Sequence, residues 1–396
     1  MAAACGVAVA NVYFPQAITT VIASGLGVST VAAALPATAA QIGYAVGIFF
    51  LVPLGDRVNR RGLVTGLLGV VAAGLLVCGL VSTIPPLVVA SVIVGAATVV
   101  PQVLIPMAAG LVEANCRGAV VGMLQGGLLA GVLLSRTFGG ELGGWVGWRA
   151  PYLIAAGLAV GVAALLAASL PAIASTTTNS YRRLLTDMLR MWRAEPALRR
   201  SCWYQATLFG GFSAVWTAIA LLLAGPSFQL GAQTVGVVAL VGAASVVCAP
   251  AAGRRVDRVG PEPVNRICIL TALAAAAVLV SANAGHWWGL VGLVAGILLL
   301  DVAVQCNQVA NQARIFALDP AARSRLNTVY MTCAFLGGSA GSWVGVQAYT
   351  HLGWLGVCAL LGAAALLALA RHLLPTRARR RPTADSAPAP EITSRT

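Results

Sequence analysis

Long uninterrupted apolar stretches dominate the chain, and its polar positions are gathered into the short intervals between them. Runs of roughly 20 apolar residues match the thickness of a bilayer's hydrocarbon core. They recur near 4–28, 36–55, 63–82, 86–109, 118–140, 150–170, 201–224, 232–252, 265–283, 287–312, 325–348 and 352–372. Pro226 and Gly231 are the main breaks between the seventh and eighth. A membrane β-barrel would show short alternating segments, so the pattern predicts helices. The expected fold class is an all-α membrane protein of about twelve transmembrane helices.

Composition agrees with that pattern. Only 9% of residues are charged and 59% are hydrophobic, whereas a soluble domain is about 25% charged. The mean hydropathy is +0.87, and the outer surface must face lipid. A net charge of +14 could suggest a nucleic-acid partner, but placement removes it. All 25 basic residues are Arg. Every one except Arg136 and Arg149 lies in alternate loops or in the tail, from Arg57, Arg60 and Arg61 after span two to Arg371–Arg395 at the end. That is the positive-inside pattern, which expects both termini and the central loop in the cytoplasm and the protein in the plasma membrane. The nine Cys form no C-x-x-C pair, so neither a zinc site nor a disulfide framework is indicated, and no metal or cofactor is expected. The first apolar segment lacks a basic leader and reads as a span that is retained.

The chain also repeats itself. Asp56-Arg57-Val58 after span two returns as Asp257-Arg258-Val259 after span eight. Gly139-Gly140-x-x-Gly143-x-Trp145-Val146-Gly147 in span five returns as Gly337-Gly338-x-x-Gly341-x-Trp343-Val344-Gly345 in span eleven. Gln102-Val103 in span four parallels Gln308-Val309 in span ten. Each match links one span to the sixth after it, which predicts two pseudo-symmetric six-helix bundles with a site between them near mid-bilayer. The expected division is 1–170 and 201–374 for the bundles, 171–200 for a linker and 375–396 for a disordered tail. Within the linker, Tyr181, Leu184, Leu185, Met188 and Trp192 share one helical face flanked by arginines, as in a helix that lies on the inner leaflet.

These residues resemble the major facilitator superfamily, and within it the drug:proton antiporter and arabinose-efflux-like branch. Asp56, Arg57, Arg60 and Arg61 match the signature Gly-x-x-x-Asp-Arg-x-Gly-Arg-Arg, with Val52 and Asn59 in place of its glycines. Gly122, Gly131, Gly139 and Gly140 match the span-five antiporter signature, with Ser135-Arg136 where it carries Gly-Pro. Ser91 stands where the fourth-span signature has an Arg tied to proton transfer. The resemblance implies that Tyr13 and Gln16 in span one and Phe212 and Trp216 in span seven line a cavity, although aromatics at such spacing more often pack. It further implies efflux by exchange with protons. Asp56 and Arg57, with Asp257 and Arg258, read as a cytoplasmic latch made and broken in the cycle; Arg60 and Arg61 also fit plain topological anchors.

An ionisable side chain within a span costs about 2.5–3.5 kcal/mol by insertion scales and should face a cavity or a partner. Asp301 in span ten is followed by Gln305, Gln308 and Gln312 on the same helical stripe, which Asn307 and Asn311 widen. The stripe fits a wet substrate pathway, which Gln102 would join, or else a hydrogen-bonded packing cluster; the pathway is preferred. Asp301 is the candidate proton-coupling residue, since burial disfavours the charged form of a carboxyl group, with a permanently paired structural Asp as the equal alternative. Arg136 admits an interdomain latch or an anion contact, but its place near the span end favours snorkelling to the outer interface.

The expected protein is thus a monomeric carrier of a small-molecule substrate and protons, and not an enzyme. Proton symport or facilitated import is the alternative within transport. A membrane-embedded lipid enzyme would need clustered acids or histidines, and a non-transporting sensor remains a third class. No P-loop pattern supports ATP-driven transport.

Overall fold

A computed structural model describes residues 1–111, 113, 117–171, 180–242, 245–319 and 322–374. Among the described residues there is no strand, and helices follow one another almost without interruption. The predicted tail and most of the polar stretch from Ser175 lie outside the described residues.

Span 1 comprises α1 (Ala2–Ala17) and α2 (Thr19–Leu26); span 2 is α3 (Thr30–Phe50) with a 3-10 turn at Val52–Asp56. Span 3 is α4 (Arg60–Leu80), span 4 is α5 (Ile84–Ala97) plus α6 (Val100–Gly110), span 5 is α7 (Arg117–Val146) and span 6 is α8 (Arg149–Ser169). After the linker helix α9 (Tyr181–Ala194), span 7 is α10 (Pro196–Ala224) and span 8 is α11 (Ala232–Gly242) with α12 (Ser245–Val259). Span 9 is α13 (Pro261–Leu279), span 10 is α14 (His286–Phe316), and α15 (Arg323–Leu373) supplies spans 11 and 12. At 51 residues α15 far exceeds one bilayer crossing, and it breaks at Gly353, whose φ of 64° an L side chain rarely adopts. Eight of the described helices are long and apolar enough to cross a membrane, and the α1–α2 pair makes a ninth. Division of α15, with α7 and the α11–α12 pair, completes twelve.

Span 1 bends by 63° between its two helices. Pro15 carries no N–H and its ring disrupts the preceding turn. The Thr19 hydroxyl answers the exposed carbonyls of Pro15 and Gln16 at 3.1 and 3.2 Å. Asn59, where the family signature has glycine, caps α4 by accepting from the Arg61 N–H at 3.0 Å. Arg60 Nε donates to the Gly55 carbonyl at 2.9 Å and fastens the turn between spans 2 and 3.

The sequence repeat has a direct counterpart in packing. Span 5 lies against span 1 as span 11 lies against span 7; spans 2 and 4 pair as do 8 and 10, and spans 3 and 6 as do 9 and 12. Without a strong hydrophobic force between helices in lipid, small residues decide how closely backbones approach. A Cβ on Gly139 would collide with Phe14 and one on Gly143 with Ile18, as one on Gly337 would with Ala206 and one on Gly341 with Gly210. The repeated motifs therefore mark the close-packed seam inside each bundle. Gly122 belongs to α7, but its side-chain position is outside the description.

The bundles meet through spans 2 and 11 and through spans 5 and 8. Thr38 and Thr217 both hydrogen-bond the Ser342 hydroxyl at 2.9 Å, and Ala34, Leu221 and Val346 pack alongside. At the second contact the Thr137 hydroxyl donates to the Gly236 carbonyl at 3.0 Å. These contacts lie towards the helix ends opposite the arginine-rich loops.

The linker helix α9 turns Leu184 and Met188 inward and its arginines outward, while Trp192 is exposed. The Tyr181 hydroxyl donates to the Phe50 carbonyl at 2.6 Å, and Asp187 lies 3.7 Å from Arg325. The helix is thereby tied to both bundles.

Candidate functional site

A cavity of about 290 Å³ lies between the bundles. Its deepest walls carry Tyr13, Arg136, Phe212 and Asp301, and it runs towards Gln312 and Asn327 at the arginine-rich end. Gln312 and Asn327 place one end of the cavity towards the arginine-rich loops, and Arg136 and Asp301 lie towards the other.

Three side chains organise the deep end. Trp216 is wholly buried, and its indole N–H donates to Asp301 Oδ1 at 3.1 Å. The guanidinium of Arg136 stacks on the face of the same indole, 3.9 Å from the ring centre. It also donates to Gln16 Oε1 at 3.1 Å, with Tyr13 and Phe212 further out at 5.2 and 5.6 Å. Arg136 comes from span 5 and Asp301 from span 10, so opposite charges from the two bundles approach across one aromatic ring. A cation on a desolvated indole gains on the order of 2 kcal/mol, which offsets part of the cost of placing Arg within a span.

This geometry corrects the snorkelling expectation for Arg136. The side chain is 1% exposed and points inward, because Trp216 and Gln16 together offer what an interface of water and headgroups would. Ser135, beside it, turns its hydroxyl back to the Val132 carbonyl at 2.7 Å. Ser91 is likewise closed on its own helix, donating to the Leu87 carbonyl at 2.8 Å.

The polar stripe on span 10 divides in two. Asp301, Gln305, Gln308 and Gln312 line the cavity. Asn307 and Asn311 do not. Asn307 donates to Gln205 Oε1 at 2.8 Å, where the Tyr330 hydroxyl also donates, and Asn311 exchanges bonds with Asn265. Both asparagines are fully buried, so the packing-cluster reading holds for them alone. They stiffen spans 7, 9, 10 and 11 behind the cavity wall.

The other candidates separate in the same way. Tyr13, Gln102 and Phe212 line the cavity, and Gln102 donates to the Tyr44 hydroxyl at 3.3 Å. Gln16 and Trp216 stand behind the wall and hold Arg136 and Asp301 in place. Arg57, Asp257 and Arg258 are exposed, while the side chain of Asp56 lies outside the described residues. Gly139 and Gly140 are buried in α7, Gly139 against Phe14.

Sequence reasoning missed several lining residues, among them Tyr44, Gln125, Gln205 and Asn327. It also missed a charge cluster outside the cavity: Glu262 meets Arg314 at 2.9 Å, Arg200 at 3.2 Å and the His372 ring at 3.6 Å. The available signal was that Glu262 is one of only 11 acidic residues, set at the start of a span.

Two six-helix bundles with matched internal packing, and a cavity of mixed charge where they meet, define a multi-pass membrane carrier. The chain belongs to the Major Facilitator Superfamily, whose profile matches residues 1–342. It is 36% identical over 366 residues to the uncharacterized transporter YgaY of Escherichia coli O157:H7, covering 92% of this chain and 91% of that one. It is also 36% identical to SCO4007 of Streptomyces coelicolor, named as a probable transporter, over 90% of this chain and 82% of that one. Among solved structures, a point mutant of the nucleoside transporter NupG superposes with a TM-score of 0.74 at 14% identity, over 93% of this chain and 98% of that one. A bacterial homologue of the human lysosomal transporter Spinster, inward-facing and occupied, gives 0.65 at 14% identity over 93% and 94%. At that identity the two structures show the fold alone.

Proposed function

We propose that the protein is a secondary active carrier that exports a small organic molecule in exchange for protons. It works as a monomer in the plasma membrane, with both termini cytoplasmic, and alternates access by rocking the bundles 1–170 and 201–374 about the cavity. The observation that carries this reading is the Arg136–Trp216–Asp301 arrangement at the deep end of the cavity. A proton on Asp301 would cancel the attraction between opposite charges on the two bundles, so occupancy of one carboxyl group biases how the halves meet. Such a differential effect on two states is what coupling requires. The arginine distribution supports the orientation, and Gln312 and Asn327 put one end of the cavity on the arginine-rich side, where an exporter would load. Asp56, Arg57, Arg60 and Arg61, with Asp257 and Arg258, serve in this reading as the inner gate that assembles when the cavity opens outwards.

The test is accumulation of a compound panel in an efflux-deficient host. Expression of the wild-type protein should lower the cellular level of at least one class of compound. Raised accumulation of that class would instead identify an importer.

A further inference from the structure

We propose that the substrate is a zwitterion of the amino-acid type, its carboxylate held by Arg136 and its ammonium by Asp301. The inference rests on the cavity being the transport site, and it adds the substrate class. Among the described residues that line the cavity, Arg136 and Asp301 are the only charged ones. They do not pair directly: the guanidinium lies on the face of Trp216, and the carboxylate sits at the indole N–H. Each therefore keeps unused capacity. Arg136 has five N–H donors, yet its described hydrogen bond is the one to Gln16, and its buried Nε–H has no partner. Asp301 accepts from Trp216 on Oδ1, and its Oδ2, packed beside Gly242, has no described hydrogen bond.

A buried charge is tolerated only when paired and hydrogen-bonded. A purely anionic ligand on Arg136 would confront Asp301, and a purely cationic one on Asp301 would confront Arg136. A molecule carrying both charges meets both groups with attractive, charge-assisted hydrogen bonds and leaves the cavity neutral. Tyr13, Phe209, Phe212 and Phe335 supply an aromatic wall for its apolar body. Exchange follows from the same geometry, since the substrate's ammonium and a proton compete for the one carboxylate of Asp301.

The test is binding to the purified full-length protein in detergent, with no gradient, of three matched probes: L-phenylalanine, cationic L-phenylalaninamide and anionic N-acetyl-L-phenylalanine. L-Leucine and its amide and N-acetyl forms make a second set. The zwitterion of at least one set should bind at least about tenfold more tightly than both of its singly charged forms, as expected when a hydrogen bond to a charged group is lost. Arg136→Gln should erase the preference over the amide, and Asp301→Asn the preference over the N-acetyl form. Equal or tighter binding of either singly charged form to the wild-type protein overturns the proposal without recourse to any variant. So does failure of all six probes to bind at millimolar concentration. Because no proton gradient is involved, either result leaves the exchange mechanism standing, and failure of proton coupling would leave the binding result standing.

Discussion

Asp301→Asn is expected to reduce transport driven by a pH gradient to the level of protein-free liposomes, while counterflow of labelled against unlabelled substrate persists once the substrate concentration is raised to offset the lost contact to its ammonium. The two assays differ in what they ask of the residue. Counterflow needs the cavity, its rim of Gln305, Gln308 and Gln312, and rocking of the halves. Gradient-driven transport also needs a group that gains and loses a proton, which an amide does not do. Asparagine keeps an oxygen that can accept from Trp216 Nε1, so the 3.1 Å contact that organises the site survives in kind. Undiminished gradient-driven transport in this variant would remove Asp301 from the coupling role. Loss of counterflow even at raised substrate concentration would show a failure of folding or of the whole site, and would leave Asp301 without a separate coupling role.

The second large effect is on folding. Gly341→Val should leave little monodisperse protein after detergent extraction, whereas Gly161→Val should extract like the wild type. A Cβ on Gly341 would strike the Gly210 carbonyl and backbone, and a backbone, unlike a side chain, cannot swing aside. Ordinary overpacking costs about 1–3 kcal/mol; forcing spans 7 and 11 apart along their seam costs more, because neighbouring contacts are lost with it. Gly161 has no heavy atom within 4 Å of such a Cβ and lies on an exposed face of α8. Equal yields from the two variants would contradict the close-packed seam, and with it the meaning given to the repeated glycine motif. Size-exclusion chromatography of a fluorescent fusion measures both yields.

Much of the fold was legible in the sequence because lipid imposes a simple rule. Backbone polar groups must be satisfied within each span, so helix positions follow from apolar length alone. The repeat of Gly139-Gly140 at Gly337-Gly338 went further, since glycine in a membrane helix marks close approach. Span 1 was legible in extent but not in shape, for its bend depends on how Thr19 satisfies the carbonyls of Pro15 and Gln16.

The site was only half legible, for a different reason. Asp301 and its glutamines announce themselves, being costly in lipid and spaced on one stripe. Which stripe residues reach the cavity depends on partners that the local pattern does not contain. Asn307 turns aside because Gln205 is there, 102 residues earlier in the chain, and Asn311 because Asn265 is. Arg136 shows the limit most clearly. Its position along the span pointed to the outer interface, and its actual orientation is set by Gln16, 120 positions away, and by the indole of Trp216. Both of those residues were singled out as cavity lining, and both instead stand behind the wall. Helical spacing gives a residue's face and depth; it does not give what lies across the gap.

Exchange of substrate for protons through the cavity is tested most directly by recording both fluxes at once. Wild-type protein would be reconstituted into liposomes holding a pH-sensitive dye, and a labelled substrate taken from the accumulation panel would be added under an imposed pH gradient. Exchange predicts that protons and substrate move in opposite directions, and that each flux stops when the other is blocked. Movement of both in the same direction, or substrate movement indifferent to the gradient, would contradict it.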